Sequence, residues 1–369
     1  MAKREQSASP FSARLKQLRA ILRQRELDAL LITNPADIHY LTGFRGEDSY
    51  AIVASRQLAI VSDFRFAEEL ERLDRVKVVM RSGSIARATA EHLDRLGLET
   101  VGLQGEYVTL AQRDALVKEL GRGGAKRLRS TSDLVGELRL YKTEDEVKAI
   151  RKAIKVQQDA LVATLETVAP GQTELEVCAQ LEFEMKCRGS EKPAFGPIVA
   201  AQANGSLPHA VPGKTKLAKG KPLLIDWGAT VGGYRSDMTR TFSLGKWSRQ
   251  MREIYEITHE AFLTAIDAVR PGMTGRELDA VARDIITATG YGEAFGHSLG
   301  HGIGLDVHEG PRVAKTSETE LQPGMVITIE PGIYLPGIGG VRIENDILVT
   351  PRGGKDLCSL PTDMEWATL

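Results

Sequence analysis

Three of the chain's seven histidines, His297, His301 and His308, fall in one stretch, FGHSLGHGIGLDVHEGP, from Phe295 to Pro311. Imidazole is a common metal ligand and titrates near neutral pH. Glycines at 296, 300, 302 and 304 break the stretch, and each costs a helix interior roughly 1 kcal/mol. His297 and His301 are therefore not the paired histidines of a helical zinc protease, and Ser298 stands where that motif needs its glutamate. The segment reads as a loop where backbone, substrate and ligating side chains meet. Taken alone, it also admits the lesser reading of a turn with three satisfied histidines.

Carboxylates decide between the two. Four strand-like segments, KPLLIDWGAT (221–230), YRSDMTRTFSL (234–244), MVITIEPGIYL (325–335) and GVRIENDILVT (340–350), carry Asp226, Asp237, Glu330 and Glu344. An acid at the end of an apolar strand is costly to bury unless it is paired or bound to a cation. Four facing one centre repel strongly, and divalent cations relieve that repulsion. Singly, each acid reads as a strand-end cap or a salt bridge; together with the histidine loop they read as a metal site. Four carboxylates and one imidazole form a mostly hard-oxygen set. It suits Mn²⁺, Fe²⁺ or Co²⁺ better than a sulfur-rich structural zinc site does, with Zn²⁺ still open. Five ligands exceed what one catalytic ion with an open position uses. Two ions about 3.5 Å apart, sharing carboxylates and a bridging water, would use them all.

The elements that position these acids are duplicated. Val168–Glu176 (VAPGQTELE) and Val269–Glu277 (VRPGMTGRE) share Val, Pro, Gly, Thr and Glu at the same five places, 101 residues apart. Each copy joins a helix ending at Pro-Gly to one starting at a Thr cap. Asp226 and Glu330 are 104 apart and Asp237 and Glu344 are 107 apart, so each half supplies two acids from corresponding strands. Ahead of this region, Thr143–Val168 reads as a long amphipathic helix with a threonine cap and acids in its first turn. Residues 1–135 alternate helix and strand patterns: helices at 11–25, 84–97 and from Thr109, strands at 28–33 and 76–81, and a hairpin between. They predict a smaller α/β domain. The expected domains are 1–135 and 140–369. His39, His92 and His259 lack ligand-type company and read as structural.

The totals exclude several classes. Net charge is −1 over 369 residues, which gives no electrostatic case for nucleic acid or a membrane surface. No apolar run reaches a membrane span. Cys178, Cys187 and Cys358 lie at no metal-ligand spacing and read as reduced thiols. The N-terminus lacks the apolar core of a signal peptide. A cytoplasmic location is expected.

The motifs IDWGATVGGYRSDMTRTF (225–242), HSLGHGIGLDVHEGP (297–311), IEPGIY (329–334) and GVRIEND (340–346) resemble the pita-bread-fold metallopeptidases. That group comprises aminopeptidase P, prolidase and methionine aminopeptidase, with creatinase a metal-free relative. ANGSLPHA (203–210) and NPADIHYLTGF (34–44) are similar to the prolidase and creatinase branch, whose N-terminal domain methionine aminopeptidases lack. The resemblance implies an α/β (α+β) architecture: a pita-bread C-terminal domain with a pseudo-twofold αβ repeat behind a creatinase-like N-terminal domain. It implies Asp226, Asp237, His301, Glu330 and Glu344 as ligands of two divalent ions, manganese first, with Asp237 and Glu344 bridging.

By the same resemblance Glu330 accepts the proton of the nucleophilic water, and His308 donates to the scissile carbonyl. His209 and His297 line the pocket near the proline. Arg342 holds a metal-bound carboxylate from behind, and Arg312 sits where some prolidases bind a dipeptide's carboxylate. The implied activity is hydrolysis of Xaa-Pro bonds at peptide N-termini, an Xaa-Pro aminopeptidase, with a dipeptide-restricted Xaa-Pro dipeptidase as the alternative. A homodimer is implied, the N-terminal domain helping to cover the partner's site. A non-catalytic peptide-binding module would have lost ligands, and none is lost; hydrolysis of a non-peptide C–N bond is a third reading, which activity without added metal would favour. Ala201-Gln202-Ala203 departs from the Ser-Gly pair of many relatives, on the substrate side of the site.

Overall fold

The computed structural model describes residues 10–369. The basic segment 1–9, part of the N-terminus read above as lacking a signal, lies outside the described residues. The chain forms two compact units, one ending at Arg139 and one spanning Leu140–Leu369.

The first unit is a six-stranded mixed sheet in the order β4-β3-β2-β1-β5-β6. Its strands are β1 (Ala29–Ile32), β2 (Tyr50–Ala54), β3 (Leu58–Ser62), β4 (Lys77–Met80), β5 (Val101–Gln104) and β6 (Leu128–Thr131). The expected hairpin is present: β2 pairs antiparallel with β3. Helices α1 (Pro10–Gln24), α2 (Pro35–Thr42), α3 (Ala67–Glu71), α4 (Ile85–Arg95), α5 (Leu110–Leu120), α6 (Gly124–Arg127) and α7 (Gly136–Arg139) complete it. Helix α2 was not expected, although its signals are local: Asn34 caps it, Pro35 opens it and Gly43 closes it in the left-handed conformation. His92 bonds Gln57 at 2.9 Å and has a structural place in this unit.

The second unit holds the duplication. Helices α8 (Glu144–Leu165) and α9 (Glu174–Cys187) form the first pair, α10 (Arg249–Ala268) and α11 (Gly275–Ala288) the second. Thr173 and Thr274 each close a capping box with the glutamate three residues on. The backbone repeats as closely as the sequence does. Gly171, Glu174 and Leu175 donate to Leu217, Thr215 and Gly213; Gly272, Gly275 and Arg276 donate to Leu321, Thr319 and Ser317. The first pair is followed by β7 (Ile198–Ala201), β8 (Pro222–Trp227), β9 (Thr230–Val231), β10 (Tyr234–Arg235) and β11 (Met238–Ser243). The second is followed by β12 (Gly300–Gly302), β13 (Glu309–Val313), β14 (Val326–Ile329), β15 (Gly332–Leu335), β16 (Gly339–Arg342), β17 (Asn345–Thr350) and β18 (Gly353–Asp356). Sheets β11-β8-β7 and β13-β12-β14-β17-β18 result.

The two long strands expected at 325–335 and 340–350 are each broken in two. Glu330-Pro331 interrupts the first because proline cannot donate to a ladder. Ile343-Glu344 interrupts the second, where the Glu344 N–H leaves its own sheet for the Thr239 carbonyl at 3.2 Å. A core containing Trp227, Phe242, Tyr255, Phe262 and Phe295, all nearly inaccessible, fills the space under the sheets. Among the described residues no helix is long and apolar enough to cross a membrane.

The halves differ where a helix start meets a strand. In the second half Gly275 opens α11, and a Cβ there would lie 2.2 Å from the Arg312 carbonyl oxygen. The first half has Glu174 at this place, and its carboxylate accepts from the Ala201 and Gly213 amides and from Asn204. Gly275→Ala is therefore expected to destabilise the protein by about 1–3 kcal/mol through overpacking. Denaturant unfolding would register this as a lower midpoint at an unchanged slope.

Candidate metal centre and active site

Asp226 is the penultimate residue of β8, Asp237 precedes β11, and the pair β8–β11 is in antiparallel register with Trp227 opposite Met238. Glu330 follows β14 and Glu344 precedes β17, whose register sets Ile329 opposite Asn345. Each half thus delivers two acids at adjacent strand ends. Donor atoms of Asp237, His301 and Glu344 lie within 4.8 Å of one another. His301 Nε2 is 3.7 Å from Asp237 Oδ2 and 3.4 Å from Glu330 Oε1.

Hydrogen-bond directions in the site follow from Arg342, which can only donate. Its Nη2 donates to Asp226 Oδ2 at 2.5 Å, its Nε to Thr239 Oγ1 at 2.9 Å and its Nη1 to the Tyr334 hydroxyl at 2.7 Å. Thr239 therefore spends its proton on Glu344 Oε2 at 2.6 Å, and Tyr334 spends its own on His297 Nε2 at 2.8 Å. His297 in turn donates Nδ1–H to the Ser298 carbonyl. The loop before it is held by Arg283, which donates to the Phe295 and His297 carbonyls and pairs with buried Asp279. The Asp237 amide donates to Asp346 at 3.2 Å.

Burial dominates the electrostatics. Loss of solvent, then repulsion from Glu344 and Asp226, raises Asp237 well above the carboxylate range. Loss of solvent and then Glu330 and Asp226 do the same to Glu344. Burial raises Asp226 despite the opposing pull of Arg342. Burial also pushes Glu330 up to about 8, against Arg342 and with Asp226 adding to the rise. Burial lowers His301 to about 4, so its imidazole is neutral, and its Nδ1 donates to the Gly302 carbonyl at 3.1 Å. The Nε2 lone pair then faces the carboxyl oxygens of Asp237 and Glu330. Asp226 Oδ1 is buried without a hydrogen-bond partner. An imidazole lone pair, an orphaned carboxylate oxygen and three further acids around one point fit a cation site.

The cluster lies on the wall of a cleft of about 820 Å³ that is also lined by His209, His297, His308 and Arg312. His308 packs edge-on to His301 with ring centres 4.3 Å apart. All ten residues singled out from the sequence thus meet at one cleft. His259, read as structural, bonds Thr362 at 3.0 Å. Thr239, Tyr334 and Asp346 were missed. Alternation along DMTRTF would have found Thr239, which shares the face of Asp237. Tyr334 carries no such signal, because antiparallel pairing with Gly340 brings it back to the site. The Ala201-Gln202-Ala203 departure has a conformational cost: Gln202 adopts φ 58°, where glycine is free and an L-residue pays about 1–2 kcal/mol. Its side chain donates to the Lys216 carbonyl at 2.7 Å, a partial offset.

A duplicated αβ domain with four acids and a histidine converging beside a cleft fits a metallohydrolase. The chain belongs to metallopeptidase family M24, whose model matches residues 148–351, and residues 14–141 match the creatinase/prolidase N-terminal domain. It is an enzyme of that metal-dependent family and has its pita-bread fold. It is 38% identical over 350 residues to the Xaa-Pro dipeptidase of Pyrococcus furiosus, covering 93% of this chain and 97% of that one. The structure of an Xaa-Pro dipeptidase from Bacillus anthracis superposes with a TM-score of 0.93 at 36% identity, covering 97% of this chain and all of the other. An X-Pro aminopeptidase from Thermotoga maritima gives 0.85 at 34% identity, covering 92% and 98%. These relatives favour the dipeptidase alternative over the broader aminopeptidase expectation.

The raised acids give a pH signature in metal-stripped protein. A folded-state pKa above the unfolded one adds stability that is complete below the ordinary value and lost as pH rises through the folded one. For Glu330 that window runs from 4.5 to about 8. His297 and His301, which burial lowers to about 4, work in the opposite sense below the ordinary histidine value of 6.5, so the melting temperature of stripped protein is expected to fall between about 6.5 and 8 and to recover on adding Mn²⁺. A flat or rising profile over that range in the stripped protein would contradict the clustering of ionisable acids.

Proposed function

We propose that this chain is an Xaa-Pro dipeptidase that uses two divalent cations, manganese first, with Co²⁺, Fe²⁺ and Zn²⁺ as alternatives. The observation that carries the reading is the carboxylate–imidazole cluster on the wall of a cleft that also exposes His209, His308 and Arg312. Asp226, Asp237, His301, Glu330 and Glu344 would hold the cations, Asp237 and Glu344 serving both. When bound, the cations supply Lewis acidity and a water of lowered pKa.

The chain's own groups do the rest. Glu330 accepts the proton of the attacking water and returns it to the proline nitrogen as the C–N bond breaks. His308 donates to the carbonyl oxygen as negative charge develops there. His209 and His297 flank the proline. Arg342 fixes Asp226, and Arg312 pairs with the C-terminal carboxylate of a dipeptide, a charge that a longer substrate carries farther away. The likeness to the Thermotoga aminopeptidase supports a second reading in which longer Xaa-Pro peptides are also cleaved. The resemblance and the free thiols Cys178, Cys187 and Cys358 support a cytoplasmic homodimer.

With Mn²⁺ present, kcat/KM for Met-Pro is expected to exceed that for Ala-Pro-Ala by about tenfold or more, one bidentate contact's worth. Arg312→Ala should raise KM for the dipeptide and leave the tripeptide unaffected. Equal rates on both substrates, with no Arg312 effect, would move the assignment to the aminopeptidase. His308→Ala is expected to lower kcat by about 10²–10³ at similar KM, the cost of removing one oxyanion donor; steady-state kinetics on Met-Pro would show it.

A further inference from the structure

One buried charge near the site is used by none of these steps. Glu309 follows His308 and opens β13, on the lining of the same cleft. Its side chain is 10% exposed, and the Lys142 ammonium, 1% exposed, lies 2.6 Å away. Glu309 Oε2 also faces the Asp306 amide at 3.4 Å. A Cβ at Gly304 would come within 2.5 Å of Glu309 Oε1, so residue 304 must be a glycine for the carboxylate to sit beneath the loop. The loop 302–309 thus encloses a charged group alongside its buried Ile303 and Leu305.

Lys142 is itself held on both sides. Its amide donates to the Gly324 carbonyl at 2.8 Å, on the turn that leads into β14 and Glu330. The next residue, Thr143, caps α8 with Glu146, and Glu146 Oε1 accepts from the Tyr234 hydroxyl at 2.9 Å, three residues before Asp237. Opposite Lys142, Gly302 pairs in register with Glu309, with His301 before the one and His308 before the other.

We infer that the Lys142–Glu309 ion pair is a positioning device for His301 and His308: it ties the β12–β13 hairpin that carries both histidines to the segment that anchors the acids of the two halves. The pair acts through the two histidines it positions. A buried pair of this kind is weak evidence for stability, but removing one partner leaves an uncompensated buried charge. The inference rests on the metallopeptidase reading for its kinetic consequence and not for its metal-binding consequence.

The test titrates metal-stripped protein with Mn²⁺ by calorimetry and measures kcat and KM on Met-Pro at saturating Mn²⁺. Lys142→Met is expected to weaken Mn²⁺ binding and lower kcat by about tenfold or more each, with KM within about twofold; supports behind a metal ligand typically act on this scale. Lys142→Arg should retain most of both. Lys142→Met/Glu309→Gln, which removes both charges of the pair, should bind Mn²⁺ better than Lys142→Met and more weakly than wild type. If Lys142→Met fails to fold, the double variant decides against wild type. Wild-type-like affinity and kcat in folded Lys142→Met, or in the double variant, would overturn the inference. Loss of Mn²⁺ affinity in a protein whose wild type cleaves no Xaa-Pro peptide would uphold it while refuting the proposed substrate.

Discussion

Four carboxylates buried around one point cannot all be charged unless a cation lies among them. Two like charges 4 Å apart repel by about 4 kcal/mol at an effective dielectric of about 20. A hydrogen bond returns about 1 kcal/mol net. The Thr239 bond therefore orients Glu344 without offsetting the repulsion, and the single Arg342 guanidinium offsets only part of it, chiefly at Asp226. Only protons or cations can offset the rest, and the upward shifts of Asp226, Asp237, Glu330 and Glu344 express the proton solution. His301 makes the cation solution the better fit, because its neutral ring turns a lone pair toward the same point.

Much of the second unit follows from holding those groups together. Each half ends two strands at the centre, and one arginine spans the halves by gripping Asp226 from the first and Tyr334 from the second. The histidine loop is fastened underneath by Arg283 and Asp279 at one end and by Lys142 and Glu309 at the other. Chemistry is left to the cleft side, where His209, His308 and Arg312 remain exposed. Their neighbours Pro208, Val211 and Pro212 form an apolar wall suited to a proline-containing substrate.

The site was legible in the sequence because its residues are chemically unusual where they stand. Acids at the ends of apolar strands and histidines among glycines have few structural explanations, and the 101-residue repeat related the acids before any geometry was known. Helix caps at Thr143, Thr173 and Thr274 were legible for a similar local reason. What escaped depends on tertiary pairing. Tyr334 reaches His297 only through the β15–β16 hairpin, and Lys142 meets Glu309 across 167 positions of sequence. The breaks at Glu330-Pro331 and Ile343-Glu344 were read as continuous strands, because apolar runs hide a change of partner. The preference for a broader aminopeptidase had no residue behind it, and relatives drew it toward the dipeptidase.

Anomalous diffraction from crystals grown with Mn²⁺ tests the central claim most directly. Two manganese peaks per chain are predicted, together contacted by Asp226, Asp237, His301, Glu330 and Glu344. A single peak, or none among these five residues, would contradict the account.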